Sequence, residues 1–97
     1  MSRGYYGRAK LNRIEDTYVE YFYSGENWNS SNSVEGDALL FDGIIKISLQ
    51  GKLIEVDSCK NDFDRCGEKF IARKLVSKII RLYREYGEWI REVEILL

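Results

Sequence analysis

The side chains of this chain that could carry out chemistry are carboxylates and two thiols, because the sequence contains no histidine. The commonest general base and metal ligand is therefore absent, together with every Ser-His or Cys-His nucleophile pair. Cys59 and Cys66 have no histidine or second cysteine pair with which to complete a zinc site. In a reducing compartment this spacing predicts two free thiols.

Paired carboxylates suggest two kinds of metal site, and neither fits. Asp62, Asp64 and Gly67 resemble the opening of a calcium loop, but Arg73 stands where that loop needs a bidentate Glu. A metal nuclease would need Glu-x-Lys on a strand, and residues 55–57 read Glu-Val-Asp. No Gly-rich phosphate loop is present either. We therefore predict no enzyme, no cofactor and no metal, and we expect Asp62 or Asp64 to cap a following helix.

Charge is segregated along the chain, although its net value is only −1. Residues 1–13 hold four bases and no acid, and residues 14–64 hold eleven acids against three lysines. Residues 66–86 hold six bases against two acids. Such blocks can neutralise one another inside the fold, or each can form a surface for a partner.

The acidic block supports the first functional hypothesis, a small non-enzymatic protein that binds a basic surface on a protein partner. Trp28, in the Ser- and Asn-rich stretch, either folds back over a sheet edge or anchors that partner. Such proteins are common among phage and mobile-element inhibitors, including anti-CRISPR proteins, and the chain is similar to them in kind without sharing a motif. The residues predicted to bind a protein are Glu20, Glu26, Trp28, Glu35 and Asp37.

The basic blocks support the alternative, a nucleic-acid-binding module. Residues 3–10 interleave bases with tyrosines and glycines, which suits base stacking beside phosphate contacts. The same residues could instead form an edge strand. The predicted nucleic-acid contacts are Arg3, Tyr5, Tyr6 and Arg8 in this arm, and Arg73, Lys74, Lys78, Arg81 and Arg84 farther along.

Residues 69–86 divide into an apolar half and a basic half at the helical period. The pattern predicts one long helix over residues 66–86, ended by a left-handed Gly87. Its apolar side, with Leu75, Ile79 and Leu82, must pack on something. Phe70 is the one apolar residue within the basic half, either exposed or crossed by the N-terminal arm.

Alternating and β-branched segments predict the rest of the fold. We expect an α+β domain over residues 1–97, with a small antiparallel or mixed sheet of about four to five strands, covered on one face by the helix, in the order β-β-β-β-α-β. Residues 1–13 form a flexible arm. A type I′ turn at Asp42-Gly43 joins two strands of a meander, and the last strand returns parallel to a meander strand through a right-handed crossover. The predicted strands are residues 17–23, 38–41, 44–49, 53–58 and 88–96.

The opening residues contain no apolar run that resembles a signal peptide or a membrane span. We therefore expect a cytoplasmic protein with no membrane partner. The sequence leaves its oligomeric state open.

Overall fold

The computed structural model describes residues 5–27, 41–60 and 62–96. These residues form an α+β fold, as predicted, with one helix and a five-stranded sheet in which every neighbouring pair is antiparallel. The sheet order is β4-β3-β2-β1-β7, and β5 and β6 form a separate hairpin. The elements are β1 Tyr5–Ile14, β2 Tyr18–Asn27, β3 Gly43–Ser48, β4 Leu53–Asp57, β5 Asp64–Arg65, β6 Glu68–Lys69, α1 Phe70–Tyr86 and β7 Glu92–Leu96.

The described part of the N-terminal arm, residues 5–13, lies in β1, a strand with neighbours on both sides. This differs from both the flexible arm and the edge strand that the sequence suggested. Gly7 and Ala9 face the helix, and a Cβ at Gly7 would lie 2.7 Å from Cγ2 of Ile71. Small residues are needed there for close packing, so the inward side of β1 carries little of the apolar signal by which strands are recognised.

The prediction of a parallel C-terminal strand was wrong, because β7 pairs antiparallel with β1. Ala9 lies opposite Val93 in this register. The crossover rule concerns parallel strands joined through a helix. Here the strand of the main sheet that precedes the helix is β4, which lies at the opposite edge of the sheet. β7 instead pairs with the side of β1 that β2 does not occupy.

The predicted turn at Asp42-Gly43 was also wrong. Gly43 is the first residue of β3 and lies opposite Tyr23 on β2, without a positive φ. A glycine is needed there for space, because a Cβ would overlap the Tyr23 ring and approach the Cys59 amide nitrogen to 2.8 Å. Of the predicted strand 38–41, residues 38–40 lie outside the described residues and Phe41 precedes β3.

Replacing Gly43 with Ala is therefore expected to destabilise the protein by about 1–3 kcal/mol, the usual cost of overpacking a core. The added methyl group must displace a fully buried ring or a backbone amide, and neither can move into solvent. Urea unfolding monitored by tryptophan fluorescence measures the change. An unfolding midpoint equal to that of the wild type would contradict this explanation of the glycine.

The helix begins at Phe70, four residues later than predicted, because a tight turn occupies residues 66 and 67. Cys66 and Gly67 have φ values of 55° and 81°, as a two-residue type I′ hairpin turn requires. Cys66 is exposed in this turn and Cys59 is buried, and neither forms a disulfide. The helix ends as predicted, with Gly87 left-handed at φ 77° and its N–H bonded to the Tyr83 carbonyl.

The helix packs on one face of the sheet and closes the core. Ile71, Leu75 and Ile79 are fully buried against it, whereas Leu82 is partly buried. The alternating burial of β3 sends Ile45 and Ile47 to this face. We call the opposite side, which carries Lys46, the outer face of the sheet. Because the apolar side of α1 is fixed in this way, the direction of its basic side is fixed too.

Candidate functional site

The side of α1 that faces away from the sheet carries the densest group of bases in the described residues. Four of these side chains are exposed and one, Lys78, is half-buried. Glu85 is the one acid within the helix. We call this surface the basic face, and its members are Arg73, Lys74, Lys78, Arg81 and Arg84.

The basic face is only slightly neutralised by the rest of the described chain. Arg73 forms an ion pair with Glu68, with Nη1 2.7 Å from Oε2, and Lys78 donates a hydrogen bond of 2.6 Å to the Glu94 carbonyl. The ammonium of Lys74 lies 5.7 Å from the centre of the Phe70 ring. Arg81 and Arg84 have no ion pair or hydrogen bond with any described residue. Two guanidinium groups and an ammonium are thus free to bind an anion.

Phe70, the apolar residue within the basic side of the helix, is packed rather than exposed to a partner. Its ring stacks on Phe63 with centroids 5.1 Å apart. The Arg65 guanidinium lies 5.2 Å from its centroid. The hairpin side of the molecule, and not the N-terminal arm, therefore covers this ring.

The predicted arm residues lie on a different surface. Arg8 forms an ion pair of 2.6 Å with Glu92 on the outer face, and this hydrogen bond is the main cause that raises the pKa of Arg8. The Tyr6 hydroxyl donates a hydrogen bond to the carboxylate of Glu94, which lies on β7 together with Glu92. Arg3 and the Tyr5 side chain lie outside the described residues. The structure therefore brings Tyr6 and Arg8 together but does not join them to the basic face.

Of the five residues predicted to bind a protein, only Glu20 has a described side chain. Glu20 is only 6% exposed, and its Oε2 accepts a 2.6 Å hydrogen bond from Asn12. The Glu20 charge, 3.6 Å from Arg13 Nε, is also the main cause that raises the pKa of Arg13. Trp28, Glu35, Asp37 and the side chain of Glu26 lie outside the described residues. Glu20 is therefore bound within the fold rather than offered to a partner.

The predicted helix cap is Asp62, acting from outside the helix. Its Oδ1 accepts from the Phe63 and Ile71 amides at 2.8 Å, and its Oδ2 accepts from the Ala72 amide at 3.0 Å. The hydroxyl of Tyr23 donates to Oδ2 at 2.7 Å and accepts from the Cys59 amide at 3.0 Å. Burial, with this bond to Asp62, raises the pKa of Tyr23.

The sequence predicted Asp62 or Asp64 as the cap, but Tyr23 reads in the sequence only as an aromatic strand residue. The network joins β2, the segment before the hairpin and the helix N-terminus. All four hydrogen bonds to the carboxylate come from protein donors, so the group serves to hold the helix in place beneath its basic face.

Among the described residues, the basic face is the candidate binding surface. They contain no group of three or more His, Cys, Asp or Glu side chains placed to hold a metal ion. Over the same residues, no helix combines the length and the apolar character needed to cross a bilayer. Comparison with protein families, curated proteins and solved structures finds no match for this chain.

Proposed function

We propose that this protein is a small non-enzymatic binding protein that contacts the phosphate backbone of a nucleic acid through the basic face of α1. The observation that carries the proposal is that Lys74, Arg81 and Arg84 are exposed without an acidic partner among the described residues, on a helix whose direction the core fixes. The acidic residues of the chain could have neutralised this surface, and in the described part only Glu68 pairs with it.

The spacing of the free bases suits a repeating anion. Lys74 and Arg81 are seven residues apart, which is a rise of about 10 Å along the helix, and Arg84 lies about 4.5 Å farther on. Phosphates repeat every 3.4 Å of helix axis along one strand of B-DNA. Basic side chains spread over about 15 Å of α1 can therefore contact several phosphates of one DNA strand while α1 stays straight.

The protein-partner hypothesis ranks second after the structure is taken into account. Of its predicted residues, Glu20 is buried and held by Asn12. The idea of a phage or mobile-element inhibitor stays a prediction that rests on likeness in kind.

Within the basic face, Arg73 and Lys78 are expected to contribute less to phosphate binding than the other three bases, because each already has a partner within the fold.

The proposal is tested by fluorescence anisotropy with labelled single-stranded RNA, single-stranded DNA and duplex DNA of 20–30 nucleotides. We expect binding to at least one probe, with an affinity that falls as salt rises. Contacts to three to five phosphates give a slope of log K against log salt of about −2 to −4.5. The triple variant Lys74→Glu, Arg81→Glu, Arg84→Glu should lose at least tenfold in affinity.

A matched control reverses three exposed bases elsewhere, Lys52→Glu, Lys60→Glu and Arg91→Glu. Both triple variants change the net charge by the same amount, and circular dichroism verifies that both remain folded. The control should retain most of the binding. If both variants lose affinity equally, the net charge of the protein and not the basic face sets the binding. Absence of binding to every probe at low salt would refute the proposal.

A further inference from the structure

The two edges of the main sheet are protected to different extents. On the β7 edge, Lys78 donates to the Glu94 carbonyl, and a lysine at an edge is a common device against strand pairing. On the β4 edge, Leu53 and Ile54 are 44% and 54% exposed. Leu96 on β7 is also exposed, at 67%, so the two edges differ in their backbone contacts: among the described residues no side chain bonds to the backbone of β4 from outside, as Lys78 does to that of β7. The β4 edge is therefore the more open of the two.

No strand of the described residues pairs with the outer side of β4, so its backbone presents groups without a partner along this edge. The Ser48 amide donates a hydrogen bond to the Lys52 carbonyl. The backbone N–H and C=O groups of every second residue of β3, counted from Ser48, therefore point toward β4. With Lys46 opposite Glu55 and Ile44 opposite Asp57, the backbone groups of these two acids pair with β3. The N–H and C=O of Val56, which lies between them, therefore point away from the sheet.

A bulge shapes the start of this edge. Ile47 lies opposite Leu53 and Lys46 opposite Glu55, which leaves Ile54 as an additional residue in β4. Bulges redirect side chains, and here two adjacent apolar side chains are exposed at the sheet margin. An added strand would cover part of both side chains.

Charge on the outer face indicates the chemistry of such a strand. One row of directly opposed residues runs Arg13, Glu20, Lys46 and Glu55 across β1 to β4, with alternating sign. The row ends in a carboxylate at the open edge. Glu55 and Asp57 are both exposed and form no ion pair with any described residue. A base opposite Glu55 would continue the alternation, as opposite charges on facing strands stabilise pairing.

The same row argues against a second copy of this chain. Two β4 strands paired antiparallel through Val56 and Ile54 place Glu55 opposite its own equivalent, and like charges directly opposed are destabilising. A strand with Lys or Arg at alternate positions has no such conflict.

We infer that the open edge of β4 docks an extended segment of a protein partner by strand addition, with Lys or Arg residues of that segment facing Glu55 and Asp57. Main-chain hydrogen bonds supply the pairing and the alternate side chains supply selectivity. This inference does not depend on the proposed function, because β4 is on a different surface from the basic face.

The test uses two synthetic peptides with alternating Val, one with Lys and one with Glu at the intervening positions, capped at both ends with Thr. Fluorescence anisotropy should show at least tenfold tighter binding of the Lys peptide. N-methylation of the Val amides, which face β4, should abolish binding, whereas N-methylation of the Lys amides should have little effect. The variant Glu55→Lys, Asp57→Lys should instead prefer the Glu peptide.

The control variant Glu85→Lys, Glu88→Lys makes the same charge change on exposed acids elsewhere and should keep the wild-type preference. Any of three results would overturn the inference. These are failure of the wild type to bind the Lys peptide, binding that ignores which amides are methylated, and a dimer in light scattering that Ile54→Lys dissociates. The last result would assign the edge to a second copy.

Discussion

Replacing Leu75 or Ile79 with Ala is expected to lower the free energy of unfolding by about 2–5 kcal/mol, the largest effect of any single substitution considered for this protein. Both side chains are essentially inaccessible to solvent, at 0% and 1% exposure. Each lies where α1 meets the sheet, so truncation leaves a cavity between two rigid elements that cannot close fully.

The measurement is urea or thermal unfolding. For a domain of this size a loss of 1 kcal/mol lowers Tm by roughly 4–8 °C, so each variant should melt at least about 8 °C below the wild type. Leu82→Ala, on the same side of the helix but only partly buried, is the matched control and should cost less. Equal losses at Leu75 and Leu82 would show that burial against the sheet does not set the cost.

Replacing Asp62 with Ala is expected to destabilise the protein by about 2–4 kcal/mol, more than removal of an ordinary helix cap. The carboxylate accepts from two helical amides and from the Tyr23 hydroxyl. Its loss leaves these three donors and the Phe63 amide without their acceptor in a partly buried site. Buried donors without partners are costlier than the net value of the bonds they lose.

Asp64→Ala is the control for this prediction. Asp64 is exposed, and its one described interaction is a 3.1 Å ion pair with Lys69. Surface pairs of this kind contribute about 0–1 kcal/mol. Unfolding curves for both variants, with Tyr23→Phe as a third, measure the difference. A cost at Asp64 that matches the cost at Asp62 would contradict the assignment of the cap.

The helix is the part of the fold that the sequence predicts best. Its apolar and basic halves follow the 3.6-residue period with Phe70 as the one exception, and Gly87 marks its end through local conformation alone. Its start was misplaced because Cys66 and Gly67 form a hairpin turn. Cysteine is not among the residues that usually indicate positive φ, and a two-strand hairpin of four residues has no hydrophobic period to detect.

The position of β1 was the main feature that the sequence did not reveal. Gly7 and Ala9 point to the core without an apolar signal, because Ile71 fills the space that larger side chains would need. The bases of β1 dominate its pattern and suggested an arm. In the sheet Tyr6 lies opposite Glu26, 20 residues away, and opposite Leu96, 90 residues away, and local pattern carries no information at that range.

The candidate surfaces show the same division. Spacing along a single element was enough to predict which residues of α1 are basic, that they share one side, and that an aspartate, Asp62 or Asp64, caps the helix. Three features could be read only from the folded chain: Asn12 and Arg13 enclose Glu20, Lys78 bonds to the β7 edge, and no described strand lies beyond β4. These outcomes depend on strand order and register, which arise from contacts between residues far apart in the chain.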